Sequence, residues 1–359
     1  MKIVIALPAY YSFPIGGYHV QYAYANYLNS LGHDVTIVFP RYADGTNSIG
    51  AYIKTPVWAS LIKLRNRPLI SSFVLNKEVK IKFVRNLQEN SIPNGDAIIA
   101  TAWQTAEIIG LYAKSKFKKK FYIVYDYEHY MTGDEILKKR ISATYKLDLR
   151  IIASSKVVQK TVESLGGRVI ANIPCGIDFD SFGMDIEPVV RNPHTIGFPL
   201  RRESFKGAED AFEAVKLLKN RFGHGIDVAA FGSQKFDTPT WIKYIEFPNQ
   251  KQLRAFYNSR AIFFVPSHFE GWGLPGSESM ACGSALVTTD NGGCLDYAVD
   301  EKTALVVPPK RPDLMADAII SLIESRARRV KLATEGHKYI NNFTWERSVY
   351  ALNNILVDN

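Results

Sequence analysis

The sequence predicts two doubly wound α/β domains facing each other across a cleft, and three observations carry that expectation. Short apolar, β-branched runs alternate with amphipathic helical stretches over almost the whole chain. Such alternation implies parallel βαβ units, because parallel strands need a long crossover whose helix then covers a sheet face. The alternation pauses around Ile173-Pro-Cys-Gly-Ile-Asp-Phe-Asp-Ser-Phe182 and on to Pro193, then restarts. The length of 359 residues also suits two domains of ~100–200 residues each. The expected boundaries are 1–172 and 173–343, with the helix over 344–359 packing back on the first domain.

In chain order, Ile3–Leu7 reads as a strand and Tyr18–Leu31 as a helix, followed by strands at Val35–Phe39, Ala97–Ala100, Phe121–Tyr125 and Ile151–Ala153. After the pause come a strand at His194–Phe198 and a helix at Ala208–Leu218. Later strands are expected at Val228–Phe231, Ala261–Val265, Ala285–Thr288 and Ala304–Val307. Residues 42–92 resist the pattern. Ligands of such sheets bind at the carboxyl ends of strands, so two facing domains place both sets of ends around one cleft.

Composition removes several classes. With 47% hydrophobic and 22% charged residues the chain can build ordinary cores, and no apolar run approaches the ~20 residues of a membrane span. Pro8 interrupts the first apolar run too early for a signal peptide. Cys175, Cys282 and Cys294 are scattered and odd in number, so neither a disulfide framework nor a zinc cluster is expected, and a cytoplasmic setting fits. Residues 1–180 hold 23 Lys and Arg against 14 Asp and Glu, while residues 181–359 hold 21 of each, so the whole excess of +9 falls in the N-terminal half. No zinc-finger, RRM or KH pattern points to nucleic acid. An anionic membrane surface is one partner that such a half could take, and the alternatives are solvated basic faces or an anionic soluble acceptor. Lys54-Thr-Pro-Val-Trp-Ala-Ser-Leu-Ile-Lys-Leu-Arg-Asn-Arg67 mixes cations with Trp58, Leu61, Ile62 and Leu64, and Lys114-Ser-Lys-Phe-Lys-Lys-Lys120 adds a second basic cluster.

The segment Ser267-His-Phe-Glu-Gly-Trp-Gly-Leu-Pro-Gly-Ser-Glu-Ser-Met-Ala-Cys-Gly283 carries the strongest signal. Glu270 falls at a strand's carboxyl end, and Glu278 in the first turn of a helix expected near Gly276. Carboxylates there can accept hydrogen bonds from sugar hydroxyls, and a helix N-terminus favours phosphate. A capping box over Ser267-x-x-Glu270 is excluded by the two glycines and the proline that follow. Arg201, Arg202 and Lys206 come just after another strand end, where they can reach a diphosphate and stabilise it as a leaving group. Gly16-Gly17 follows the first strand and opens a helix, so it can present backbone N–H groups. The G-x-G-x-x-G fingerprint is absent, which argues against a nicotinamide dehydrogenase. The seven histidines show no metal-ligand spacing, and His33 reads as a turn residue.

This constellation resembles the E-x7-E signature of the family-4 retaining glycosyltransferases, which have the GT-B fold of two Rossmann-like domains. Pro14-Ile-Gly-Gly17 with Gly32-His-Asp-Val, Cys175-Gly-Ile-Asp-x-x-x-Phe182, Lys206-Gly207, Asp290-Asn-Gly-Gly293 and Phe343-Thr-Trp-Glu resemble further stretches of that family. The resemblance implies a nucleotide-diphosphate sugar as donor, a saccharide or lipid-linked acceptor, and no obligatory cofactor or metal. It gives the donor sugar to Glu270, the ribose diol to Glu278, and the diphosphate to Lys206 with Arg201 or Arg202. The base is expected near Gly232-Ser233 and Ile245-Glu246. Gly271, Trp272, Gly273, Leu274, Gly292 and Gly293 complete the donor site. The family's His-Asp pair maps imperfectly: Asp126 fits the aspartate, Tyr125 takes the histidine's place, and His129 is the substitute from the next turn. Loss of that histidine would suit a 6-deoxy donor sugar. Asp178-Phe-Asp180 imitates a metal-binding D-x-D, but inside the interdomain stretch it reads as structural. A nucleotide-sugar 2-epimerase and a non-catalytic nucleotide-sugar-binding module are the rival expectations. The transferase would work in the cytoplasm, at the inner face of the membrane if the basic half docks there.

Overall fold

The structure is a computed structural model that describes residues 1–10, 16–41, 74–113, 115–126, 128–130 and 132–358. The stretch from Lys54 to Arg67, and Lys114 of the second basic cluster, lie outside the described residues. The chain divides into two compact units, residues 1–175 with 345–359, and residues 176–344.

The first unit is built on β1 (Lys2–Ala6), β2 (Asp34–Pro40), β3 (Lys80–Val84), β4 (Ala97–Ala100), β5 (Lys119–Val124), β6 (Arg150–Ala153) and β7 (Val169–Asn172). These strands form one parallel sheet in the order β3-β2-β1-β4-β5-β6-β7. Helices α1 (Gly16–Ser30), α2 (Trp103–Ile109), α3 (Glu135–Thr144) and α4 (Lys156–Ser164) lie between strands. Helix α1 buries Val20, Tyr22, Tyr24 and Leu28, and Gly32 with φ of 86° ends the turn that follows it. His33, expected as a turn residue, is a buried tie: Nε2 lies 2.6 Å from Asn353 Oδ1 and Nδ1 3.2 Å from the chain's amino terminus.

The second unit holds β8 (Thr195–Pro199), β9 (Asp227–Gly232), β10 (Ile242–Glu246), β11 (Ile262–Val265), β12 (Ala285–Thr289) and β13 (Leu305–Val307), again all parallel, in the order β10-β9-β8-β11-β12-β13. Between and after them run α5 (Ala208–Phe222), α6 (Gln250–Asn258), α7 (Leu274–Ala281), α8 (Pro312–Glu324) and α9 (Arg326–Ile340). Phe198 and Phe264 stack at 4.8 Å in a core completed by Val215, Leu218, Ile319 and Leu322. The last helix, α10 (Trp345–Val357), belongs to the first unit. There Trp345 meets Tyr24 edge-on at 5.3 Å, and Ser348 Oγ donates to the Pro174 carbonyl at 2.7 Å.

The second basic cluster is in large part consumed by the fold. Lys119 Nζ donates to the Leu356 carbonyl at 2.6 Å, and Lys120 Nζ to the Gly110 and Tyr112 carbonyls at 3.2 and 3.1 Å. Lys116 Nζ donates to the Glu89 carbonyl. Lys119 and Lys120 satisfy carbonyls at the carboxyl ends of α10 and α2.

Candidate functional site

Strand order locates a site in the second unit before any side chain is considered. From β8 the chain winds outward through β9 to β10, and from β11 it winds the other way, so the sheet's switch point falls between β8 and β11. The two loops that leave these neighbours diverge and open a crevice at the carboxyl ends. Lys206 is on the loop after β8 and Glu270 on the loop after β11.

Their backbones are fitted closely. Gly207 has φ of 68°, and a Cβ there would lie 2.2 Å from the Pro266 carbonyl oxygen. No side chain fits at that point. The His268 N–H donates to the Phe205 carbonyl at 2.7 Å. Across this seam Lys206 Nζ reaches Glu270 Oε2 at 2.9 Å, with side chains 18% and 11% exposed. Partial burial makes this pair stronger than a surface ion pair, and it leaves either charge uncompensated if the other is removed. Lys206 is therefore not the free loop cation that its sequence setting suggests.

The glycines around Glu270 serve the same close fit. Gly292 bridges to Glu270, the Glu270 N–H donates to the Asn291 carbonyl at 3.1 Å, and the Gly293 N–H returns to the Glu270 carbonyl at 3.0 Å. A Cβ on Gly293 would stand 2.4 Å from that carbonyl oxygen. Gly273 stands at φ of 86°, a Cβ there would lie 2.6 Å from Cys294 Sγ, and its carbonyl accepts from Tyr297 Oη at 2.6 Å. Gly271 and Leu274 flank Trp272 in this loop. Trp272 is buried between Tyr297 and Phe343, at 5.1 and 5.3 Å between ring centres, so its place is in the packing beneath the loop.

Helix α7 begins at Leu274, two residues before the expected start, because Gly273 in the left-handed region serves as its N-cap and Pro275 fits the first turn. Glu278 accordingly sits in the second turn rather than the first. It accepts from Tyr257 Oη at 2.9 Å. Burial pushes its carboxyl up to about 8, with the Asp178 charge adding to the rise and the Tyr257 hydrogen bond and the Arg201 charge opposing it.

The two arginines separate. Arg201 donates to Ser233 Oγ and is close enough to Glu278 to act on its titration. Arg202 is exposed and turns away, with its guanidinium 2.8 Å from the Lys235 carbonyl and over the Phe236 ring. Of the two arginines only Arg201 acts on Glu278. Gly232 is forced, since a Cβ would lie 2.4 Å from the Leu200 carbonyl oxygen and 2.5 Å from Tyr244 Oη. Glu246 is exposed at the end of β10.

One pair escaped the sequence. His268 Nε2 lies 2.6 Å from Asp210 Oδ2 in the first turn of α5. Together with its backbone bond to Phe205, His268 grips the chain on both sides of Lys206-Gly207 and staples the two loops. The partners are 58 residues apart, so no local spacing could reveal them. Asp178 accepts from the N–H groups of Asp180 and Ser181 and from Ser181 Oγ. Its carboxylate closes a turn.

In the first unit, Gly16 and Gly17 open α1 at the exposed end, and a Cβ on Gly17 would meet nothing within 4 Å. Asp126 follows β5; burial raises the Cys175 and Glu128 groups, and the Asp126 charge adds to both rises. His129 Nδ1 lies 2.9 Å from Ser142 Oγ and 3.3 Å from the Lys138 carbonyl, so that nitrogen is committed to α3. Glu128 was not singled out by the sequence. It accepts from Tyr122 Oη and the Trp103 N–H, and burial pushes its carboxyl up to about 7.

A family model described as glycosyl transferases group 1 matches residues 185–339, fewer than half of the chain. The capsular polysaccharide biosynthesis glycosyltransferase CapM of Staphylococcus aureus is 23% identical over 219 residues, covering 56% of this chain and 56% of CapM. Other matched relatives are likewise named glycosyltransferases. The chain spans between two fifths and three fifths of the length of these relatives. Among solved structures, HepE of Anabaena in complex with UDP-glucose superposes with a TM-score of 0.76 at 13% identity, covering 100% of both chains. Sucrose-phosphate synthase of Thermosynechococcus elongatus gives 0.74 at 15% identity, covering 99% of this chain and 98% of that one. The chain therefore has the GT-B fold, and residues 185–339 carry a glycosyl transferases group 1 domain.

Proposed function

We propose that the chain is a retaining glycosyltransferase of the family-4, E-x7-E type, moving a sugar from a nucleoside-diphosphate donor to an acceptor hydroxyl. The observation that carries this is the Lys206–Glu270 contact of 2.9 Å across the switch point of the second sheet. It sets a cation and a hydrogen-bond acceptor side by side, where a sugar joined to a diphosphate needs both. Lys206 and Arg201 hold the diphosphate and stabilise its charge as the bond to the sugar breaks. Glu270 accepts from the donor sugar's hydroxyls, and Glu278 accepts from the ribose diol once its own proton has left. The acceptor oxygen attacks the anomeric carbon on the face the diphosphate leaves. As the new bond forms, the acceptor's proton passes to the departing phosphate oxygen, and configuration is kept. Lys206 and Arg201 supply the positive charge, so no metal or cofactor is part of this reading. On the first unit, Gly16-Gly17 are assigned to donor binding, and Asp126 and His129 to the reacting sugar.

The acceptor class is a glycan or lipid-linked glycan of envelope polysaccharide or glycolipid synthesis, supported by the name of the CapM relative. The basic N-terminal half supports docking at an anionic membrane. With Lys116, Lys119 and Lys120 engaged in the fold, that docking rests on the remaining cations. Co-sedimentation with anionic and neutral vesicles at low salt tests it, and equal binding to both would end it.

Thermal-shift screening against UDP, GDP, ADP and dTDP, each with its sugars, tests the donor assignment. A ligand at ~100 times its dissociation constant stabilises by ~2.7 kcal/mol, several degrees for a unit of this size. No shift with any of them would contradict the assignment. Release of nucleotide and an altered free sugar without acceptor would mark an epimerase instead.

A further inference from the structure

Among the described residues three that are not glycine hold positive φ: Phe247, Glu301 and Lys310. Glu301 and Lys310 are long polar side chains in surface turns, where the left-handed conformation carries no second penalty. Phe247 differs. It stands at φ of 49° and leaves 49% of its surface exposed. The backbone is disfavoured there for any residue with a Cβ, and the ring keeps apolar surface in water that burial would have removed. Residues held at such expense cluster where a ligand makes use of them.

Its position says which ligand. Phe247 follows the last residue of β10, and its N–H donates to the Gly232 carbonyl at 2.7 Å, pinning it to the end of β9. Next in the chain after Gly232 is Ser233, which accepts from Arg201, and Arg201 in turn acts on Glu278. Strands ~4.8 Å apart put β10 about 10 Å from β8. That is the reach of a nucleotide laid with its diphosphate at the Lys206 loop and its base outward. Gly232 leaves the corner floored by backbone rather than side chain.

We propose that Phe247 is the platform on which the donor's nucleobase stacks. The proposal rests on the nucleotide-sugar assignment above and adds a residue to it. Every base has an aromatic face, so the ring supplies affinity for the nucleoside end irrespective of which base neighbouring polar groups select.

Calorimetric titration of the wild type with UDP, GDP, ADP and dTDP comes first, followed by Phe247→Ala, Phe247→Trp and Phe247→Gly with whichever binds. Inorganic pyrophosphate is the base-free control. Phe247→Ala is expected to bind the nucleoside diphosphate about tenfold more weakly (~1.4 kcal/mol). Phe247→Trp should stay within about threefold of wild type, and pyrophosphate affinity should not change. Phe247→Gly, relieved of the strain, should melt about 2–4 °C higher while losing the same affinity. Unchanged nucleotide affinity in Phe247→Ala, an equal loss for pyrophosphate, or a lower melting point for Phe247→Gly would each overturn the proposal. A wild type that binds none of the four nucleotides would instead remove the donor assignment, and this role with it.

Discussion

Replacing Gly207 by alanine tests whether the seam between the two loops sets the geometry of the site. The new methyl group would begin 2.2 Å from the Pro266 carbonyl oxygen, so the loops must part by about 1 Å to restore ordinary contact. Alanine at φ of 68° adds roughly 1–2 kcal/mol of backbone strain, and the overlap adds roughly 1–3 kcal/mol. The expected loss of stability is therefore about 2–5 kcal/mol, read as a lower urea midpoint. The same displacement separates Lys206 from Glu270, now 2.9 Å apart, and a shift of ~1 Å costs about 100-fold in turnover. Gly225→Ala, in the exposed turn before β9 and outside the site, is the matched control: a Cβ there meets nothing within 4 Å among the described residues, so stability and turnover should both stay near wild type. A Gly207→Ala protein that unfolds at the wild-type urea concentration and keeps its turnover would refute the reasoning.

Glu278→Gln should raise stability at alkaline pH. Burial holds the folded carboxyl up at about 8, far above its ordinary value of 4.5, so the native state holds its proton more tightly than the unfolded one. The penalty is absent below the unfolded pKa, grows as pH rises from about 5 to 8, and is full above 8. Urea curves of the two proteins should separate over that window, and curves that stay parallel from pH 5 to 9 would contradict the burial argument. Asp210→Ala should lower turnover about tenfold while leaving nucleotide affinity nearly unchanged. Asp210→Asn, which still offers an acceptor to His268 Nε2, should restore most of it. Equal defects in both variants would show that charge rather than position matters there.

The fold was legible because buried parallel strands are continuous apolar runs, as in Ala97–Ala100 and Ile262–Val265. The strands that escaped are β3, β7 and β10, and each lies at a sheet edge. An edge strand buries little of its surface, so Lys80-Ile-Lys-Phe-Val84 and Ile242-Lys-Tyr-Ile-Glu246 dilute the apolar signal with charge. In the site, Glu270, Glu278 and Lys206 were legible from type and spacing. Their pairing was not, because Lys206 meets Glu270 across 64 residues and His268 meets Asp210 across 58. Spacing alone gave only a slight preference for Arg201 over Arg202, and the contacts to the loop after β9 tell the two apart. Trp272 reads as a ligand contact in a glycine-rich loop, yet glycines there also allow the loop to fold over its own aromatic core.

The most direct measurement is calorimetric titration of wild type and Lys206→Gln with the selected nucleoside diphosphate and with the corresponding nucleoside. Glutamine retains an N–H donor for Glu270, so that the carboxylate, 11% exposed, is not left without a partner. If Lys206 holds the diphosphate, the variant binds the diphosphate at least tenfold more weakly, a loss of ~1.4 kcal/mol or more, and binds the nucleoside as the wild type does. Equal affinity of the two proteins for the diphosphate would place the charge of the donor elsewhere and contradict the account.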